Sequence, residues 1–227
     1  MRILGIIQPG RLGDIIICLP IAKWYADRGY KVVWPIHDVY LSNFINNIDY
    51  VDFFGLSALS CNEARNFCIS KCNNIIDLSI TMDASHPVND TFFQLSRNQI
   101  PFDRLKYLFA DVPFEQKWNL SFNRNILAEQ SLQNFLDYDG RPFTLVHTNG
   151  SSESFTYNHD GDEYVIYVDQ YSSSIFDWYG MIAKASKIVA IDSSFANLVN
   201  QVNSSCLKIL VRRKEDIRPV YLNWIVI

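Results

Sequence analysis

The fold of this chain is decided by the stretch Ile3-Leu4-Gly5-Ile6-Ile7-Gln8-Pro9-Gly10-Arg11-Leu12-Gly13-Asp14-Ile15-Ile16-Ile17. Four of the first five residues are large and apolar, which is typical of a parallel strand covered on both faces. Gly10 and Gly13 let the backbone turn sharply after that strand. The apolar run after Asp14 predicts a helix, whose first turn points unpaired N–H groups at the loop. We therefore expect a strand, a glycine-rich turn and a helix, with the carboxylate of Asp14 at a position that favours anions.

Short strands and helices alternate along the rest of the chain. A polar stretch rich in Asn and Gln over residues 111–140 separates two such patterns, and apolar residues at helical intervals from Phe92 to Phe109 are expected in the core. Strands that alternate with helices imply right-handed parallel crossovers and doubly wound sheets. We expect an α/β fold in two lobes, residues 1–125 and 126–227. The strands are predicted at residues 3–7, 30–35, 51–54, 74–78, 143–147, 164–168, 187–191 and 206–211.

Composition and charge narrow the class of protein. The net charge of −4 gives no global argument for binding nucleic acid or an anionic membrane. The five cysteines, an odd number, argue against a disulfide framework and for a reducing compartment. The apolar start is too short for a signal peptide, and no stretch approaches the roughly 20 apolar residues of a membrane span. We therefore expect a soluble, cytoplasmic protein with no transmembrane segment.

A second motif lies in the later lobe. The apolar strand at residues 187–191 leads into Asp192-Ser193-Ser194 and then a helix, and the strand at residues 143–147 leads into Thr148-Asn149-Gly150. Ligands of doubly wound sheets bind beyond the carboxyl ends of the strands, where these small polar loops are expected. In one interpretation, Ser193 and Ser194 cap this helix and have no further role. The same geometry also suits a nucleotide diphosphate, held by hydroxyls, backbone N–H groups and the helix dipole.

The two motifs together resemble those of a known family. The leading strand with its Leu12-Gly13-Asp14 turn, and the helix and strand from Trp178 that end at Asp192-Ser193, are similar to segments of the heptosyltransferase-type glycosyltransferases (glycosyltransferase family 9). The order and separation of the motifs carry the resemblance, which covers both ends of the chain. It implies a compact GT-B fold of two Rossmann-like lobes. It also implies inverting, metal-independent transfer of a sugar from a nucleotide-diphosphate sugar to a hydroxyl acceptor.

The resemblance assigns roles by position. Asp14 matches the family's candidate general base, in the acceptor lobe. Its loop also contains Gly10, Arg11, Leu12 and Gly13, with Arg11 as a phosphate or acceptor contact. The nucleotide-sugar donor would lie against the other lobe, at His147, Thr148, Asn149, Gly150, Asp192, Ser193, Ser194 and Asn197. No cofactor and no metal ion are implied. The implied partners are the nucleotide sugar and a carbohydrate or other hydroxyl acceptor, with nucleic acid only as an acceptor.

The sequence departs from the family's pattern on the donor side. The family usually has Gly where Ser194 stands and His where Asn197 stands, and the lysine often found shortly after the first donor loop is absent. Lys184, Arg212 or Arg213 would have to supply that positive charge. Two alternatives stay open. One is a non-catalytic protein that binds a nucleotide sugar or a partner, and the other is a viral glycosyltransferase that acts on a modified DNA base.

Overall fold

The computed structural model describes residues 1–82, 100–159, 161–169, 172–202, 204–213 and 219–227. These residues form two compact units. The first unit includes residues 1–122, within the described ranges, together with Pro219 and Val220. The second unit includes the described residues from 123 to 213 and from 221 to 227.

The described part of the first unit is built on four parallel strands, which pair in the order β3-β2-β1-β4. Short 3-10 turns at Asp38–Tyr40, Ser79–Thr81 and Phe114–Trp118 complete the connections. In chain order the elements are β1 (Arg2–Ile7), α1 (Leu12–Ala26), β2 (Tyr30–His37), α2 (Leu41–Phe44), β3 (Val51–Leu56), α3 (Cys61–Lys71), β4 (Asn74–Asp77) and α4 (Phe102–Phe109).

The core of the first unit forms around β1 and α1. Leu4, Ile6 and Ile7 of the central strand β1 are almost fully buried. Ile7 packs against Ala64 and Cys68 of α3, which covers one face of the sheet. The run from Ile15 to Ala22 is buried all round, so α1 carries no strongly polar face there. Gly5 lies against α3, where a Cβ atom would come within 2.8 Å of the thiol of Cys68.

The described part of the second unit is built on five parallel strands, which pair in the order β6-β5-β7-β8-β9. A 3-10 turn at Ile175–Trp178 precedes one of its helices. The elements are α5 (Ile126–Phe135), β5 (Thr144–His147), β6 (Val165–Tyr167), α6 (Tyr179–Lys184), β7 (Lys187–Ile191), α7 (Ser194–Gln201), β8 (Leu207–Val211) and β9 (Ile225–Val226).

The predicted fold class is confirmed, since the described strands of both sheets are parallel and helices connect most of them. The segment before β7 consists of the 3-10 turn at Ile175–Trp178 followed directly by α6. Strand β9 has no counterpart in the sequence-based prediction. The predicted helical segment from Phe92 contains α4, and its residues 92–99 lie outside the described ones. In the ranges given above, no helix is long and apolar enough to cross a membrane.

Candidate functional site

The glycine-rich loop of the first unit follows β1 at the carboxyl edge of the sheet. Its N-terminal part is held to β2, because the backbone N–H of His37 donates to the carbonyl of Pro9 at 2.8 Å. Gly10 is buried, and a Cβ atom there would come within 2.6 Å of Leu59 Cδ1 and 2.8 Å of the Tyr40 ring. A side chain at position 10 would therefore force one of these two neighbours to move.

Asp14 lies in the first turn of α1, just beyond the loop formed by Gly10, Arg11, Leu12 and Gly13. Arg11 is the exposed residue that precedes the helix, and Leu12 and Gly13 are half-buried. The Asp14 side chain is 15% exposed, and Oδ1 is buried without a hydrogen-bond partner among the described residues. The Nζ of Lys106 lies 3.3 Å from that oxygen and forms an ion pair with it.

Lys106 is a candidate site residue that no sequence motif indicates, because it pairs with Asp14 from a distant helix. Its side chain is 1% exposed although it lies on the short helix α4. Its Nζ donates to Gln8 Oε1 at 2.5 Å and to the carbonyl of Leu78 at 2.7 Å. The Nε2 of Gln8 in turn donates to the carbonyl of Gly10. One buried ammonium therefore connects the ends of β1 and β4 with the carboxylate on α1.

In the second unit, the loops after β5 and β7 lie side by side, because the two strands are neighbours in the sheet. Ser193 caps α7, since its Oγ accepts the backbone N–H of Ala196 at 3.2 Å. The same Oγ lies 3.1 Å from Nδ1 of His147, the last residue of β5. If Ser193 donates its hydroxyl proton to Nδ1, both groups are satisfied and the imidazole carries its proton on Nε2.

His147 is a neutral group in this site. Its ring packs against Phe195, with ring centroids 5.3 Å apart. Burial lowers the pKa of His147 from 6.5 to about 4, and the charge of Asp169 opposes that shift only in part. At neutral pH the imidazole therefore offers hydrogen bonds and no positive charge.

The loop after β5 makes a tight turn beside Asp192. Thr148 is half-buried and Asn149 is exposed. Two backbone hydrogen bonds close the turn. The N–H of Gly150 donates to the carbonyl of Glu153 at 2.8 Å, and the N–H of Phe155 donates to the carbonyl of Thr148 at 3.2 Å. A Cβ atom on Gly150 would come within 3.1 Å of the Glu153 carbonyl and 3.6 Å of the Asp192 carbonyl. The backbones of the two loops therefore pack closely at this point.

Arg213 is the cation closest to the Asp192 loop among the three proposed as substitutes. Its Nη1 donates to Ser151 Oγ at 3.1 Å, and its Nη2 lies 3.6 Å from Asp192 Oδ2. The hydroxyl of Tyr221 donates to the other oxygen of Asp192 at 2.5 Å. Lys184 instead donates to Gln133 Oε1 on α5 at 2.8 Å, and Arg212 is exposed.

Asn197 and Ser194 occupy the first turn of α7. Asn197 is 5% exposed, and its Nδ2 donates to the carbonyl of Ser193 at 3.0 Å. Its Oδ1 is buried and has no hydrogen-bond partner within the described ranges. Ser194 is half-buried at the first position of the helix.

The site residues of the second unit are thus gathered at one edge of its sheet, and those of the first unit form a separate group. In the described part of the chain, no three His, Cys, Asp or Glu side chains converge on a metal-binding point.

The fold of this chain has counterparts among solved glycosyltransferase structures. The chain is similar in structure to glycosyltransferases of the GT-B type, including a family 9 glycosyl transferase from Veillonella parvula DSM 2008, with a TM-score of 0.59, 10% identity, and coverage of 100% of this chain and 86% of that one. No protein-family model matches the sequence, and no curated protein matches it significantly.

Two heptosyltransferases share the same fold. E. coli ADP-heptose lps heptosyltransferase II has a TM-score of 0.58 and 11% identity, with coverage of 100% of this chain and 90% of that chain. E. coli heptosyltransferase WaaC, solved with ADP-2-deoxy-2-fluoro heptose, has a TM-score of 0.54 and 15% identity, with coverage of 100% and 93%. At these low identities the matches show a shared fold alone, so the chemistry has to come from the residues themselves.

Proposed function

We propose that this chain is an inverting, metal-independent glycosyltransferase that moves a sugar from a nucleotide-diphosphate sugar to a hydroxyl acceptor. The observation that carries the proposal is the carboxylate of Asp14. It stands at the strand-end loop of the first unit, with one oxygen paired to a buried lysine and the side chain 15% exposed. The fold that the chain shares with family 9 glycosyltransferases supports the same activity.

Asp14 acts as general base in the proposed reaction. It accepts the proton of the acceptor hydroxyl as that oxygen attacks the anomeric carbon of the donor sugar. The bond from the anomeric carbon to the nucleotide diphosphate breaks on the opposite face, and the diphosphate leaves with the bonding electrons. A positioned general base of this kind contributes about 10²–10⁴-fold to the rate.

The second unit holds the donor in this proposal. The hydroxyls of Ser193 and Ser194, the first turn of α7 and the loop at Thr148–Gly150 face the carboxyl edge of the sheet, where α/β folds bind ligands. The departing diphosphate requires positive charge. We assign that charge to the guanidinium of Arg213, whose planar fork matches phosphate oxygens.

Replacement of Asp14 tests the base assignment. Asp14→Asn should lower kcat by about 10²–10⁴-fold, because the amide cannot accept the hydroxyl proton. Its affinity for the donor should stay within about threefold of wild type, since the donor binds in the other unit. Asp27→Asn at the C-cap of the same helix, at an exposed carboxylate paired with Lys23, is the matched control and should retain activity. Normal sugar transfer by Asp14→Asn would refute the assignment.

Replacement of Arg213 tests the donor site separately. Arg213→Met should weaken binding of a nucleoside diphosphate about tenfold, the loss expected for one charge-assisted hydrogen bond of about 1.5 kcal/mol. Arg212→Met removes an adjacent, exposed arginine and should leave that affinity nearly unchanged. Titration calorimetry with a panel of nucleoside diphosphates and nucleotide sugars measures both variants. If the two variants bind a nucleoside diphosphate with equal affinity, the assignment of Arg213 to the donor site is refuted.

A non-catalytic nucleotide-sugar-binding protein is the second candidate. Ser194 and Asn197, at positions where the resembled family usually has glycine and histidine, favour it. The same calorimetry followed by transfer and hydrolysis assays separates the two functions. Binding of a nucleotide sugar without transfer or hydrolysis would favour the binding protein, whereas loss of turnover in Asp14→Asn would favour the enzyme.

A further inference from the structure

The position of Lys106 is unusual for a lysine. An ammonium has three N–H donors, and in Lys106 two of them are used by neutral oxygens, Gln8 Oε1 at 2.5 Å and the Leu78 carbonyl at 2.7 Å. The remaining near oxygen is Asp14 Oδ1 at 3.3 Å. The three oxygens come from the residue after β1, the residue after β4 and the first turn of α1. Lys106 therefore fixes three segments that meet at the edge of the sheet.

The charge of Lys106 requires a compensating charge, because a buried ammonium is costly unless it is paired. Gln8 and Leu78 supply only neutral oxygens. The nearby thiol of Cys18 stays protonated, since burial raises its pKa to about 12. Asp103, also on α4, is already paired with Lys117 at 2.6 Å. The carboxylate that compensates Lys106 is therefore that of Asp14.

We infer that Lys106 is a positioning residue for the general base: its ammonium holds Oδ1 of Asp14 inward, so that Oδ2 is the oxygen directed at the acceptor hydroxyl. This inference rests on the proposed function. During transfer, the proton goes to Oδ2 while Lys106 keeps its bonds to Gln8 and Leu78. Because Gln8 also donates to the Gly10 carbonyl, the same contact fixes the loop on which the acceptor would lie.

A double-mutant cycle on kcat tests the inference. Lys106→Met should lower kcat about 10–100-fold with little change in the KM for the donor, because a small misplacement of a catalytic group costs rates of that order. In the Asp14→Asn background, Lys106→Met should cause no further loss of the residual rate. A merely structural lysine would lower the rate equally in both backgrounds, and that outcome would overturn the inference.

Lys117→Met is the matched control for burial. It also removes a fully buried lysine from a carboxylate in the same unit, so its loss of stability should be similar. Its kcat should stay within about threefold of wild type, because Lys117 does not contact Asp14. An equal drop in kcat for both lysine variants would assign the effect of Lys106 to general destabilisation and refute the positioning role.

A second measurement keeps this inference separate from the proposed function. Crystal structures of the wild type and of Lys106→Gln, which retains a donor toward Gln8, would show the side-chain torsions of Asp14. We expect the carboxylate of the variant to leave the wild-type rotamer. An unchanged rotamer refutes the positioning role whatever the activity. If the rotamer changes in the variant and the wild-type protein transfers no sugar, Lys106 still orients Asp14. That pair of results refutes the proposed function alone.

Discussion

Protonation of His147 should destabilise the second unit as the pH falls. The imidazole is packed against Phe195 and faces the Ser193 hydroxyl, so a positive charge on the ring would be poorly solvated. The folded protein therefore binds this proton with a pKa of about 4, while the unfolded chain binds it with the ordinary pKa of 6.5. Because the folded pKa is the lower one, the contribution of His147 to stability is fully present above pH 6.5. It is lost progressively as the pH falls toward 4.

The magnitude follows from the interval between the two pKa values. Each pH unit in which only the unfolded state is protonated costs about 1.36 kcal/mol. The interval from 6.5 to about 4 therefore corresponds to about 3 kcal/mol of unfolding free energy. His147→Gln removes the titrating group while keeping a polar side chain at the end of β5. This variant should lose that part of the pH dependence, and its difference in stability from wild type should change by about 3 kcal/mol between pH 7 and pH 4.

Urea unfolding between pH 4 and 7, followed through the backbone amide signals of β5 and β7, measures the effect within the second unit. Imidazole signals in a pH titration give the folded pKa of His147 directly. His159→Gln, at an exposed histidine of the same unit, is the control for the substitution itself. Parallel pH dependences of wild type and His147→Gln, or an imidazole that titrates near 6.5, would refute the burial argument.

Two further substitutions test the core of the first unit by thermal and urea unfolding. Gly5→Ala should destabilise by about 1–3 kcal/mol, because its Cβ would overlap the thiol side chains of α3, whereas Gly161→Ala, with no atom within 4 Å of the added Cβ, should change stability by less than about 0.5 kcal/mol. Lys117→Met should cost about 3–5 kcal/mol because it leaves the buried carboxyl group of Asp103 without its cation, while Lys31→Met, in an exposed pair, should cost at most about 1 kcal/mol. Equal losses of stability in the two glycine variants would contradict the packing of Gly5 against α3. Equal losses in the two lysine variants would contradict the buried pairing of Lys117 with Asp103.

The sequence predicted the order of strands and helices well because their signals are local. The apolar run of β1, the glycines that follow it and the cap residue Ser193 each lie within a few residues of the element that they define. Neighbouring parallel strands bring their carboxyl ends to one edge. The grouping of His147 with the Asp192 loop therefore followed from the predicted topology, although the neutral state of His147 depends on burial that no local pattern shows.

The buried charges could not be predicted in the same way. On α4, Asp103 and Lys106 are buried while Leu108 is 66% exposed, which is the reverse of the usual preference. The partners that stabilise these charges lie far away in sequence, at Lys117 for Asp103 and at Gln8 and Asp14 for Lys106. Helical periodicity reports which face is apolar, so it assigns charged residues to solvent unless their distant partners are known.

The backbone of Val220 has a consequence for building chimeras. Its N–H donates to Asp103 Oδ2 at 2.9 Å and its carbonyl accepts from Lys117 at 2.6 Å, so a residue late in the chain completes the ion pair of the first unit. The next residue, Tyr221, already belongs to the second unit and binds Asp192. A single cut therefore cannot yield two complete modules. Any recombination that exchanges the second unit has to retain the native backbone at Pro219 and Val220, because the first unit otherwise loses two hydrogen bonds to its buried charges.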